Sequence, residues 1–249
     1  VNGDLVRLKS IYNSLLKGYN EDVEKYAPTQ LQTQVIRHIL KTGWNKAGQT
    51  IKLGNFGESN YNSKDVREAF GIMEKTFILN LVYPITAVSA PALPALKRAP
   101  KLMWLDTGLV NFAANIQTEF LHDRTLMDTW QGAVAEHIVG QQLRVLLDDL
   151  YISDLYFWVR DKQGSNAETD FVWQNGTQII PIEVKCGNNV HLRSLHSFID
   201  LSGGNLAIRI WNGGYSVDDV KTASGRVFRL INLPFYYVGS LQRVLELNL

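Results

Sequence analysis

The dipeptide Asn175-Gly176, set between two runs of aromatic and β-branched residues in ETDFVWQNGTQIIPIEVK (168–185), constrains this chain more than any other feature. A type I′ turn needs two successive residues that tolerate positive φ, and Asn-Gly is the strongest short-range signal for such a hairpin. With Asn175-Gly176 as the two-residue loop, Gln174 faces Thr177, Asp170 lies opposite Pro181, and Glu168 lies opposite Glu183. Side chains alternate along a strand and opposed residues share a face. Glu168, Asp170, Glu183 and Lys185 therefore project from one side, while Phe171, Trp173, Ile180, Ile182 and Val184 form an apolar opposite side. Diagonal neighbours across a strand pair lie roughly 7–8 Å apart. Carboxylates at that separation can lean onto one hard cation, held about 2.0–2.1 Å from each oxygen.

Burying several like charges without a counter-ion is costly, and two arrangements meet that constraint. In one, Lys185 pairs with Glu183 or Glu168 and nothing is catalysed. In the other, a divalent cation supplies the charge. Asp170 followed thirteen residues later by Glu183-x-Lys185 resembles the PD-(D/E)xK nuclease core of restriction enzymes and Holliday-junction resolvases. Such cores add an acid from a preceding helix, and QGAVAEHIV (131–139) offers Glu136. The order of Gly132 and Glu136, then YFWVR (156–160), Glu168-x-Asp170, PIEVK (181–185) and Ser194-Leu195 is similar to something narrower. It resembles the C-terminal domain of unknown function of bacterial and archaeal P-loop ATPases of the AAA type, most strongly from about Leu102 to Val238. That resemblance implies an α/β fold: a mixed sheet of the PD-(D/E)xK type flanked by helices, preceded by a mainly helical winged-helix-like domain. It implies Mg²⁺ or Mn²⁺ on Asp170, Glu183 and Glu136, with Lys185 orienting or deprotonating the attacking water and Glu168 in reserve. Asp170, Glu183, Lys185 and Glu136 are then the candidate catalytic set.

Composition fits a compact cytoplasmic protein. One cysteine, Cys186, excludes an internal disulfide and suits a reducing compartment. The five histidines show no zinc spacing, and no apolar run approaches the roughly 20 residues of a membrane span. Net charge is +1. Up to Thr125 there are 15 Lys and Arg against 11 Asp and Glu, and afterwards 10 against 13. Phosphate contact by the first part would produce such a bias; solvated surface charge explains it equally well.

Residues 1–27 are expected to be a helical linker from an ATPase module upstream, with the apolar stripe Leu5, Leu8, Ile11, Tyr12, Leu15 and Leu16. The start at Val1, with no methionine, suggests a truncated product. Residues 28–116 are expected to form the winged-helix-like domain. Pro28 opens a helix that Gly43 closes, and Ser63 is the expected N-cap of a helix through Lys75. Lys64, Arg67 and Lys75 face outward on it as candidate DNA contacts, diluted by Glu68 and Glu74. Pro84 to Pro100 would be the wing, but APALPAL (90–96) is apolar, which favours packing or a partner.

Residues 117–249 are expected to form the nuclease-like domain. Thr125 to Leu150 reads as a long helix with a stripe of Trp130, Val134, His137, Ile138, Gln141, Val145 and Leu150, and Glu136 at its edge. After the hairpin, a helix over Leu192–Leu201 and a strand over Asn205–Trp211 make a parallel crossover, expected to be right-handed. Pro181 removes one ladder donor, so a bulge is expected there. No GxxxxGK[ST] motif occurs, so no ATP site is assigned to this chain. The function expected is Mg²⁺-dependent hydrolysis of DNA phosphodiesters. The alternative is a non-catalytic regulatory or interaction module of the ATPase, binding DNA at most through the winged helix.

Overall fold

The computed structural model describes residues 5–116, 128–149, 154–162, 164, 166–186 and 191–248. The chain divides into two compact units, 1–81 with 101–126 and 82–100 with 127–249.

The first unit is mainly helical. Its helices are α1 (Leu5–Tyr26), α2 (Gln30–Thr42), α3 (Ser63–Lys75) and α4 (Thr107–Ala113). Val35, Ile36, Ile39 and Leu40 of α2 and Val66, Ala69, Phe70 and Met73 of α3 are buried, each a 3.6-period stripe. Thr29 caps α2 by accepting from the Gln32 N–H. The cap of α3 is Asn62, which accepts from the Lys64 and Asp65 N–H groups; Ser63, the expected cap, is the first helical residue. Both are good caps by type, and Asn62 holds the post because its backbone is extended while Ser63 is already helical. Trp44 stacks on Trp104 with centroids 3.8 Å apart. Trp104 lies on β2 (Lys101–Trp104), and its indole N–H donates to the Gly43 carbonyl.

The second unit is built on a sheet. Its strands are the later part of β1 (Leu79–Ile85), then β3 (Tyr156–Val159), β4 (Glu168–Asn175), β5 (Gln178–Lys185), β6 (Leu206–Trp211), β7 (Ser216–Lys221) and β8 (Val227–Pro234). Within this unit the strand order is β1-β3-β4-β5-β6-β8-β7. β1–β3, β5–β6 and β6–β8 are parallel; β3–β4, β4–β5 and β7–β8 are antiparallel. The fold is α/β with a mixed sheet. The expected crossover is present as β5, α6 (Arg193–Ser202) and parallel β6. β7, with its two aspartates, carries no strand signal in sequence and is an edge strand.

The β4–β5 hairpin exists, with a corrected turn. Asn175 pairs with Gln178, Gln174 with Ile179 and Val172 with Pro181, so the loop is Gly176-Thr177 rather than Asn175-Gly176. Gly176 takes φ +58° as the first loop residue, where a two-residue loop demands positive φ. Moving the loop by one residue moves the register by two, which changes every partner but no face. One step beyond the Phe171–Ile182 pair, Asp170 comes opposite Glu183, in place of the expected Pro181. The ladder runs unbroken through Pro181; the irregularity lies instead in β3, between Tyr156 and Trp158.

Both hairpin faces are buried, not the apolar one alone. Phe171, Trp173, Ile180 and Ile182 are core residues on one face, while Val172 and Ile179 on the acids' own face pack with Phe198 of α6. α6 also places Leu195 and Ile199 against Ala207, Phe228 and Leu230. Strands covered on both sides are what parallel pairing requires. The segment 86–100, expected as a wing, lies on this sheet: Val88, Ala90 and Ala92 join the cluster of Trp158 and Phe198, and the Ala92 N–H donates to Gln174 Oε1. Small side chains let the backbone lie close to the sheet, which explains the Ala-Pro composition.

The long helix α5 (Asp128–Asp149) packs on β5, and α7 (Leu241–Asn248) closes the chain. Its buried line is Ala135, Val139, Leu143 and Leu147, with Val134 and His137 also covered. Ile138 and Val145, expected in the stripe, are exposed. Leu150 and the side chain of Trp130 lie outside the described residues.

Asp200 on α6 accepts from the hydroxyls of Ser224 and Thr222, tying the helix to the β7–β8 turn. The Ser224 bond, then the Thr222 bond, hold its carboxyl below the ordinary range. Burial also lowers the His196 imidazole, against the opposing charge of Asp200. Both depressed values mean that the unfolded chain binds protons first. Stability is therefore present above the ordinary values of 6.5 and 3.8 and lost as pH falls below each in turn. Asp200→Asn should flatten the part of the thermal-melting profile below about pH 4 and deepen the His196 part, since the charge that opposes its lowering is gone. An unchanged acid limb would contradict this.

Candidate active site

Asp170, Glu183 and Lys185 meet at one end of the β4–β5 pair. Their alternation places all three on the same face, and continuing the register one residue past Phe171–Ile182 sets Asp170 and Glu183 on adjacent strands at the same level. Glu183 is only 6% exposed. Its Oε1 accepts from Lys185 Nζ at 2.7 Å, an ion pair whose side chains are 8% and 21% exposed. Asp170 Oδ2 accepts from the Val184 backbone N–H at 2.7 Å. The hairpin thus fixes one carboxylate through the main chain and the other through a lysine two residues away. Glu168, the expected reserve acid, starts β4, pairs in register with Val159, and its N–H donates to Ser194 Oγ.

Glu136 is half-buried on α5, one turn before buried Val139. Among the described residues no three His, Cys, Asp or Glu side chains gather as a metal-binding group. The two carboxylates present still suit Mg²⁺ or Mn²⁺. Such hard cations use one or two carboxylates and leave their other positions to water and substrate phosphates.

Lys64, Arg67 and Lys75 are exposed on α3, as expected. The neighbouring Glu68 accepts from Gln32 Nε2, and Glu74 caps the Leu81 N–H, so both acids serve the first unit's own packing.

Sequence reading missed the rest of the row. Glu183 pairs in register with Arg209 on β6, Arg209 with Asn232 on β8, and Asn232 with Ser216 on β7. Asn232 is fully buried, and the Arg209 guanidinium lies 4.1 Å over the Trp211 ring. In LAIRIW the arginine looks like the polar member of an alternating strand; only the parallel β5–β6 pairing puts it beside Glu183.

Residues 131–236 match the profile of a domain of unknown function, DUF4143, and residues 3–119 that of another, DUF8612. The curated proteins contain no match to this chain. Among the described residues, no helix is long and apolar enough to cross a membrane.

Proposed function

We propose that the second unit is a PD-(D/E)xK nuclease-type domain that hydrolyses DNA phosphodiester bonds with Mg²⁺ or Mn²⁺, in the C-terminal part of an AAA-type ATPase whose ATP site lies outside this chain. The observation that supports it most is the convergence of Asp170, buried Glu183 and Lys185 on one sheet face. Asp170 and Glu183 would hold the cation, with Glu136 approaching from α5. When bound, the cation supplies charge stabilisation at the phosphoryl oxygens and makes water easier to ionise. Val184 keeps the Asp170 carboxylate in one orientation through its N–H. Lys185 Nζ, anchored at Glu183, orients the attacking water and sets its positive charge where negative charge develops.

A second reading has its own observation. Lys185 neutralises Glu183 and the Val184 N–H serves Asp170, so the pair is accommodated without a cation. A non-catalytic module that communicates with the ATPase would need nothing more.

Nicking of supercoiled plasmid separates the two. The nuclease reading expects cleavage with Mn²⁺ or Mg²⁺ that falls by about 100-fold or more in Asp170→Asn and Glu183→Gln, the scale of losing one group that stabilises the transition state. It also expects a cation-dependent rise in Tm in the wild type, absent from both variants. Silence from this chain, and from the full ATPase-containing polypeptide with ATP, would falsify hydrolysis.

A further inference from the structure

Beside the Asp170–Glu183–Lys185 group lies a cation that the proposed chemistry leaves unused. Arg209 is the register partner of Glu183 across the parallel β5–β6 ladder. Neighbouring strands are about 4.8 Å apart, so the arginine is one strand spacing from the acid. Its guanidinium is braced on Trp211, 4.1 Å from the ring centroid. The Trp211 indole is itself fixed, donating from Nε1 to the Gly214 carbonyl at 3.0 Å. A Cβ at Gly213 would come within 2.3–2.5 Å of the indole ring, so the turn closes onto the tryptophan only because that residue has no side chain.

The braced guanidinium is not fully hydrogen-bonded where it sits. Burial lowers the pKa of Arg209, and the charge of Asp218 only partly opposes this. Arg209 Nε is buried without an acceptor among the described residues. Next in the row, fully buried Asn232 donates from Nδ2 to Ser216 Oγ and Asp218 Oδ2, while its Oδ1 is buried without a donor. Desolvating a guanidinium and leaving donors unmade is unfavourable for folding. A planar, always-charged fork stacked on an aromatic ring suits an oxyanion, which it can bind through two parallel N–H bonds.

We infer that Arg209, braced by Trp211, binds a backbone phosphate of the nucleic-acid strand, one strand spacing from the bond presented to Asp170 and Glu183. The identity of the strand rests on the nuclease reading; the anion site rests on the geometry. Arg209 is a binding residue, and its contribution does not require the cation.

Binding is therefore measured in EDTA, by anisotropy of a short fluorescein-labelled DNA strand with the whole chain. Arg209→Gln should weaken binding about tenfold, the loss of a charge-assisted hydrogen-bonded contact. It should also reduce the slope of log K against log salt by about one. Arg209→Lys should restore the slope but stay about threefold weaker, because an ammonium lacks the fork. Inorganic phosphate should displace the strand from wild type and not from Arg209→Gln; phosphate binding without strand binding would overturn the inference. Wild-type affinity in a folded Arg209→Gln variant, or no strand binding by the wild type at low salt, would overturn it too. Should Arg209→Gln fail to fold, Arg209→Lys binding as tightly as wild type has the same force. An Arg209 effect alongside a silent plasmid assay keeps the phosphate site and sinks hydrolysis. Undiminished nicking and binding by Arg209→Gln does the reverse.

Discussion

Lys185→Met is expected to lower the unfolding free energy of the second unit by about 3 kcal/mol, the lower end of what removing one partner of a buried ion pair costs. Lys185 retains one-fifth of its side-chain exposure, which sets the effect at that lower end, but Glu183 is nearly fully covered and its carboxylate would lose the lysine's charge. For a chain of this size the loss corresponds to a fall in Tm of roughly 6–12 °C. Glu183→Leu combined with Lys185→Met should recover most of it, because an apolar pair of similar volume removes the desolvation cost from both sides. Urea unfolding followed by intrinsic fluorescence measures both. A single variant as stable as wild type would mean that the pair is open to water, and neither reading of the site would then hold. The same variants divide the two readings: a nuclease loses cleavage in Lys185→Met and does not regain it in the double variant, whereas a structural pairing is repaired.

Trp158→Ala should cost about 4 kcal/mol, within the range for truncating a large buried aromatic. Trp158 is fully buried, meets Phe198 edge-on with centroids 5.2 Å apart, and donates from its indole nitrogen to the Thr86 carbonyl. It holds together three things that are distant in sequence: the 86–100 segment, β3 and α6. Trp158→Phe should keep more than half of the stability, losing the hydrogen bond and some volume. Leu93→Ala, in the same segment but 68% exposed, should change stability by less than about 0.5 kcal/mol. Equal effects of Trp158→Ala and Leu93→Ala would show that the segment does not pack through the tryptophan.

The hairpin was legible because its information is a parity. Whether the loop is Asn175-Gly176 or Gly176-Thr177, even-numbered residues of β4 share a face with odd-numbered residues of β5, so Asp170, Glu183 and Lys185 come together either way. The exact partner was not legible: Asn175 serves as a strand end as readily as a loop residue, and only tertiary contacts choose. On α5 the apolar residues surround the helix, so Ile138 and Val145 looked equivalent to Val139 and Leu143 until packing chose a side. β7 was illegible for the opposite reason, since Asp218 and Asp219 are poor strand formers placed by the ladder to β8. Arg209 became a candidate only through strand order, a relation between segments that no local pattern encodes.

The path of the chain between its units carries an evolutionary consequence. Residues 82–100 belong by packing to the second unit, yet they lie within the span matched by the profile over residues 3–119, and the chain returns to the first unit before entering the second for good. A recombination event at the apparent joint, between residues 119 and 131, would deliver the later half without the part of β1 that pairs with β3 and without the covering over Trp158. Such a cassette would arrive with an open sheet edge and an uncovered core. A transplant of the later half that works must carry residues 82–100 along with it.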